Sequence, residues 1–188
     1  FEIGSITKVF TSIILADMVE RGEVALDDPV QRLLPADVQV PARNGAAITL
    51  RHLATHSSGL PRMPDNFNPA DPANPYADYT VGQFHGFLSA HELTRNIGEK
   101  VEYSNLGVGL LGHALANRAG TNYENLVTER VLGPLAMTDT LITLSPAARE
   151  RLATGHDRAL NPVANWDLPT FAGAGALRST VKELLTFI

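Results

Sequence analysis

Ser5-Ile6-Thr7-Lys8 sets a hydroxyl and an amine three positions apart at the start of a helical pattern. Residues three apart on a helix share one face, one turn apart, so Lys8 can reach Ser5. A hydroxyl at a helix start also lies near unpaired N–H groups and the positive end of the dipole. A serine hydroxyl is a poor nucleophile until a neighbour takes its proton. A lysine that is partly desolvated, or beside another cation, is neutral enough to do so. A second cluster, Tyr103-Ser104-Asn105, precedes a Gly-rich helical pattern. A phenol there can relay a proton, and an amide, with a donor and an acceptor, can hold both a lysine and a substrate carbonyl. Each cluster alone has a plainer explanation. Ser5 can be a helix cap beside a solvated Lys8, and Tyr103 a packed ring ahead of a cap at Ser104 or Asn105.

The elements that would position these groups are mostly helical. Apolar residues at Ile6, Val9, Phe10, Ile13, Ile14 and Val19 predict a helix from Ile6 to Arg21 with one buried stripe, stopped by Gly22. Asp28-Pro29 opens a short helix over Val30, Leu33 and Leu34, and Thr49 caps another from Leu50 to His56. From Pro61 to Thr80, prolines among Asn and Asp predict a long irregular loop. Thr80 then caps a helix with Val81, Phe84, Phe87 and Leu88 inward. Ser104 to Arg118 is helical, with Gly120 where a left-handed terminal residue is wanted. Further helices are expected from about Asn122 to Val131, from Ser145-Pro146, and after the capping-box pattern Thr180 to Glu183. Strand candidates lie near Leu141 to Leu144 and within Phe171 to Leu177. No internal repeat or low-complexity tract occurs.

Composition narrows the classes. Apolar residues are 44% and charged residues 19% of the 188, which fits neither a disordered nor a collagen-like chain. The 15 Lys and Arg against 20 Asp and Glu give a net charge of −5 without a basic run, so nucleic acid is not an expected partner. No window approaches the roughly 18 apolar residues of a bilayer span. With no cysteine there is no disulfide, thiol nucleophile or Cys-ligated metal. Of the six histidines only His52 and His56 have a ligand-like spacing, so no metal site or cofactor is expected.

Taken together and in this order, the motifs change the reading. From Phe1 almost to Ile188 the chain resembles the serine β-lactamase and penicillin-binding-protein superfamily, in particular its class C β-lactamase, carboxylesterase and D-peptidase branch. The resemblance rests first on Gly4-Ser5-Ile6-Thr7-Lys8, Asp27-Asp28-Pro29 and Ile48-Thr49-Leu50-Arg51-His52-Leu53. It continues through Thr55-His56-Ser57-Ser58-Gly59-Leu60, Tyr103-Ser104-Asn105 with Leu106-Gly107, Pro134-Leu135-Ala136-Met137, and Gly173 to Thr180. A tyrosine at 103 points to the class C side, since class A enzymes carry Ser-Asp-Asn there. The resemblance implies that Ser5 is the acylated nucleophile, Lys8 its activator, and Tyr103 the general base that also helps deliver the deacylating water. It implies that Asn105 binds substrate and orients Lys8. Ser104 is expected to face away as a cap. His52, His56, Ser57 and Ser58 are expected to form a structural turn. For His156 and Trp166, simple packing is favoured over a place beside the cleft.

Departures from the pattern are Ile97-Gly98 for Pro-Gly, Ala136 for Gly, and Glu183 for Asp. No Lys-Thr-Gly or His-x-Gly follows the second motif, and the family carries that third motif on a strand further on. The oxyanion hole of the superfamily takes one N–H from the nucleophile and one from that strand, so half of it is expected here. The implied fold is α/β, of β-lactamase/transpeptidase type, a helical region packed on a five-stranded antiparallel sheet. Residues 1–188 are expected to form one partial domain, truncated at both ends, holding mainly the helical region and little of the sheet. The implied activity is a serine hydrolase forming an acyl-enzyme on a small-molecule or peptide acyl substrate: a β-lactam, an ester or a D-amino-acid amide. The alternative is a non-catalytic fragment that self-associates or needs a partner to complete the sheet, because the stripe Val9, Phe10 and Ile13 would lack its cover. The resemblance favours a periplasmic or secreted protein.

Overall fold

A computed structural model describes all of residues 1–188. The first long helix, α1, runs from Thr7 to Glu20 and is preceded by a 3-10 turn over Gly4–Ile6. Ser5 therefore sits in the turn that feeds α1 rather than within the α-helix. Gly4 makes this entry with φ of 50°, a conformation that costs glycine nothing. Short elements follow: a 3-10 turn over Val30–Leu33, the two-residue ribbon β1 (Ala42–Arg43) and β2 (Ala46–Ala47), and helix α2 (Leu50–Ala54). Then come α3 (Val81–Ala90), α4 (Asn105–Ala119) and α5 (Tyr123–Val127), the last continuing as a π turn over Thr128–Leu132. The chain ends with α6 (Pro146–Glu150), the ribbon β3 (Gly155–His156) and β4 (Pro162–Val163), α7 (Ala172–Gly175) and α8 (Val181–Phe187). No helix is long and apolar enough to cross a membrane.

Helix α4 is the hub. Its N-cap is Ser104, whose Oγ accepts from the Gly107 N–H at 2.8 Å, and it stops at Gly120 with φ of 69°. Every residue from Leu106 to Leu111 is buried, because α1, α2, α5 and α7 all pack around it. That close packing needs small residues. A Cβ on Gly112 would stand 2.9 Å from Gly173 Cα, and one on Gly109 would stand 2.5 Å from a ring carbon of Phe171. The irregular stretch from Pro61 to Thr80 has no helix or strand, as its prolines predict, and aromatic side chains pin it. Tyr79 is buried, stacks on Phe171 with centroids 5.1 Å apart, and donates to Asn66 Oδ1 at 2.8 Å.

Two sequence expectations are corrected here. The stripe on α1 is not a single face: Phe10 and Ile14 are fully buried with Leu15 and Met18, whereas Ile6, Val9 and Ile13 remain 46%, 49% and 38% exposed. Phe10 is covered by Phe187 of α8, the rings stacked 4.2 Å apart. The helix is apolar on two faces, and periodicity alone could not say which one the rest of the chain covers. The second concerns Phe171 to Leu177, which is not a strand but the turn of helix α7. Its run Ala172-Gly173-Ala174-Gly175 has no alternating large side chains, and its small residues are what let it lie against Gly112.

The remaining sheet is slight. Arg178 forms antiparallel bridges with Glu2 and with Leu141, so the chain start, the segment at Leu141 and the segment at Arg178 run side by side. The strand expected over Leu141 to Leu144 reduces to that one bridge. The fold is thus mostly helical, with little of the antiparallel sheet that the resemblance implies. One departure noted in the sequence carries strain: Ala136 has φ of 54°, a left-handed conformation that glycine adopts more readily.

Candidate active site

Ser5 and Tyr103, far apart in sequence, meet through the packing of α1 against the start of α4. Tyr103 Oη lies 2.6 Å from Ser5 Oγ and Lys8 Nζ lies 3.0 Å from it, so the serine oxygen is held between a phenol and an amine. Lys8 is otherwise tethered to the Ala174 carbonyl of α7 at 2.7 Å, and its ammonium stands 4.9 Å from the centroid of the Tyr103 ring. The close approach of α7 to α4 at Gly112 and Gly173 is what brings that carbonyl within reach.

The charges are arranged to loosen one proton. Burial pushes Lys8 below its ordinary value, contact with Tyr103 opposes this, and Arg62 adds to it by repulsion. For Tyr103, burial pushes the phenol up. Lys8, the hydrogen bond to Ser5, and Arg62 together outweigh that and leave it below its ordinary value. Both groups donate to Ser5 Oγ when fully protonated. Loss of a proton from either turns that group into an acceptor for the serine proton.

Ser5 opens on a pocket walled by Glu2, Tyr76, Asn105, Trp166, Leu168 and Gly175. Asn105 therefore faces the same space as Ser5. Its amide nitrogen lies 3.9 Å from Met63 Sδ, and the hydrogen-bond partners of Lys8 are Ser5 and Ala174 rather than Asn105. Ser104 is buried and turned away: its Oγ caps α4 and donates to the Pro61 carbonyl at 2.6 Å. Of the two residues weighed as flanking the cleft, Trp166 lines the pocket and His156 lies apart in β3. No group of three His, Cys, Asp or Glu side chains is gathered as a metal site would need.

The His52 to Ser58 segment does hold a turn. His52 forms a reciprocal cap with Thr49 at the start of α2. His56 does more than hold the turn. In a left-handed conformation with φ of 58°, it accepts the Ser104 N–H on Nδ1 at 3.2 Å and packs its ring 4.6 Å from that of Tyr103. The sequence reading missed this buttress, and it missed Arg62 and the Ala174 carbonyl. The carbonyl has no sequence signal. Arg62, three residues after the turn glycine Gly59, could have been noted as a cation beside a motif.

Comparison with known proteins gives the family of the chain. The Beta-lactamase family model matches residues 1–188. The chain is 36% identical over 188 residues to the D-alanyl-D-alanine-carboxypeptidase/endopeptidase AmpH of Escherichia coli (strain K12), covering 99% of this chain and 47% of that protein. It is 31% identical over 158 residues to a Beta-lactamase of the same organism, covering 83% of this chain and 38% of the other. The structure of the Beta-lactamase/D-alanine carboxypeptidase from Yersinia pestis, complexed with citrate, superposes with a TM-score of 0.85 at 32% identity. That alignment covers 98% of this chain and 51% of the other. The chain spans about half the length, or less, of these relatives.

Proposed function

The chain belongs to the beta-lactamase family, whose relatives matched here are hydrolases, and we propose that Ser5 is its nucleophile in an acyl-serine hydrolysis. The observation that supports this most directly is the Ser5 oxygen 3.0 Å from Lys8 and 2.6 Å from Tyr103. In the first half-reaction Ser5 Oγ bonds to the substrate carbonyl carbon as its proton passes to whichever of Tyr103 and Lys8 is proton-deficient. That proton then goes to the departing amine or alcohol as the C–N or C–O bond breaks. Water hydrolyses the acyl-enzyme in the second half, its proton taken by the same group and returned to Ser5. Asn105, on the pocket wall, is suited to hold the substrate amide. The Ser5 backbone N–H is one oxyanion donor, and the family pattern assigns the other to the strand of the third motif.

Similarity to a D-alanyl-D-alanine carboxypeptidase/endopeptidase and to a beta-lactamase favours D-alanyl peptides and β-lactams as the substrate class, with simple esters served by the same constellation. The test is intact mass spectrometry after incubation with a penicillin and with an activated ester. A covalent adduct that maps to Ser5 and vanishes in Ser5→Ala is expected, and an adduct that persists in the alanine variant would falsify the assignment. A second reading, self-association of these residues, has support in the exposed Ile6, Val9 and Ile13 face of α1.

A further inference from the structure

Arg62 belongs to neither sequence motif, yet its guanidinium carbon lies 5.1 Å from the centroid of the Tyr103 ring. With Lys8 Nζ at 4.9 Å from the same centroid, two cations flank one phenol. The chain at this point is locked to the turn that carries Tyr103. Ser104 Oγ donates to the Pro61 carbonyl at 2.6 Å, and the N–H groups of Asn105 and Leu106 both donate to the Arg62 carbonyl at 3.1 Å. Arg62 forms no ion pair with a carboxylate. A guanidinium keeps its charge at every working pH, so its field on the site is permanent.

The other groups facing Lys8 and Tyr103 do not cancel that field. His56 packs on the Tyr103 ring, and burial, then Lys8, hold it below its ordinary value, so it is neutral at neutral pH. Glu2, on the pocket wall, accepts from the Trp166 N–H at 2.8 Å and stands 3.6 Å from Arg178. From α7 comes the Ala174 carbonyl, and on the α4 side the uncharged Asn105.

We propose that Arg62 is a positioning residue whose fixed charge keeps the Lys8–Tyr103 pair one proton short, so that Ser5 Oγ has a proton acceptor near neutral pH. The proposal rests on the acyl-serine reading. Adding the last proton takes the pair from a net charge of zero to +1 beside an existing cation. The sign is the same whether the missing proton is off the phenol or the amine, because the two titrate as a unit. Across the 5.1 Å between the guanidinium carbon and the centroid of the phenol ring, in surroundings between protein surface and water, one charge alters proton affinity by about three- to tenfold, or about half to one pH unit.

The experiment compares wild type, Arg62→Gln and Arg62→Lys in the whole protein, expressed with whatever its gene encodes on either side of residues 1–188. It records kcat/KM against pH for an activated ester and the tyrosinate absorbance against pH, with Tyr103→Phe identifying the Tyr103 signal. In Arg62→Gln the acid limb and the Tyr103 midpoint should both move about half to one unit to higher pH. Below the limb kcat/KM should fall about three- to tenfold, with no loss above it, and Arg62→Lys should restore most of the shift. Arg62→Met stands in if the glutamine variant does not fold. An unmoved limb, or an equal loss at all pH that lysine does not rescue, overturns the proposal. A wild type that never acylates Ser5 sinks the acyl-serine reading instead, while the phenolate titration still decides whether Arg62 sets the proton count of the pair.

Discussion

A histidine outside the active site carries the clearest pH signature in the chain. His113 of α4 meets His85 of α3 with Nε2 atoms 3.1 Å apart, and burial, helped by His85, pushes its pKa down to about 4. Above about pH 6.5 it is neutral in both folded and unfolded chains and has no effect on stability. Between there and about 4 the unfolded chain binds a proton that the folded one refuses, so stability falls as the pH falls. Allowing for solvent screening at a partly exposed site, the loss is about 2 kcal/mol. Urea unfolding at a series of pH values checks this. His113→Gln should flatten the decline across that window, and a variant with an unchanged slope would show that other groups carry the acid sensitivity.

At the scale of elements, the geometry of the candidate site depends on two helices coming closer than side chains normally permit. Gly112 of α4 and Gly173 of α7 meet backbone to backbone, and the same contact delivers the Ala174 carbonyl to Lys8. In Gly112→Ala the new methyl would start 2.9 Å from Gly173 Cα and 3.1 Å from the Tyr123 ring, both buried, so α7 must move. Overpacking of this kind costs about 1 to 3 kcal/mol. We expect a lower urea midpoint with an unchanged slope, together with slower acylation of Ser5. Acylation at the wild-type rate in a destabilised variant would mean that the Ala174 tether is not needed to place Lys8. The neighbouring Thr11 shows how the buried contact is kept satisfied: its Oγ1 pairs with Tyr123 Oη at 2.6 Å and with the Gly173 carbonyl at 2.7 Å.

Across the whole molecule, the unresolved demand is apolar surface. Residues 1–188 bury Phe10 through Phe187 but leave Ile6, Val9 and Ile13 facing outward on α1, next to Ser5. At roughly 25 cal/mol per Å², covering a few hundred Å² of such a face contributes several kcal/mol, enough to drive association. Residues 1–188 produced alone should therefore self-associate at micromolar concentration in sedimentation velocity. Val9→Ser with Ile13→Ser should return a monomer with the same far-ultraviolet spectrum. A wild-type fragment that stays monomeric would leave this face without a role in assembly.

Most of the helices and the residues of the candidate site were legible in the sequence, because both are set locally. Caps such as Ser104 and Thr80, the left-handed stop at Gly120, and the spacing of Ser5 to Lys8 act within a turn or two of the chain. Motif order along the chain supplied the family, and with it the pairing of Ser5 with Tyr103. Which face of α1 is covered, that Ala172–Gly175 is helical, and that His56, Arg62 and the Ala174 carbonyl surround the site were decided by tertiary structure alone. Those features arise from contacts between segments tens to more than a hundred residues apart. Local periodicity holds no information about which distant surface will arrive. A backbone carbonyl, present at every position, gains its role only from where the packing of α7 on α4 puts it.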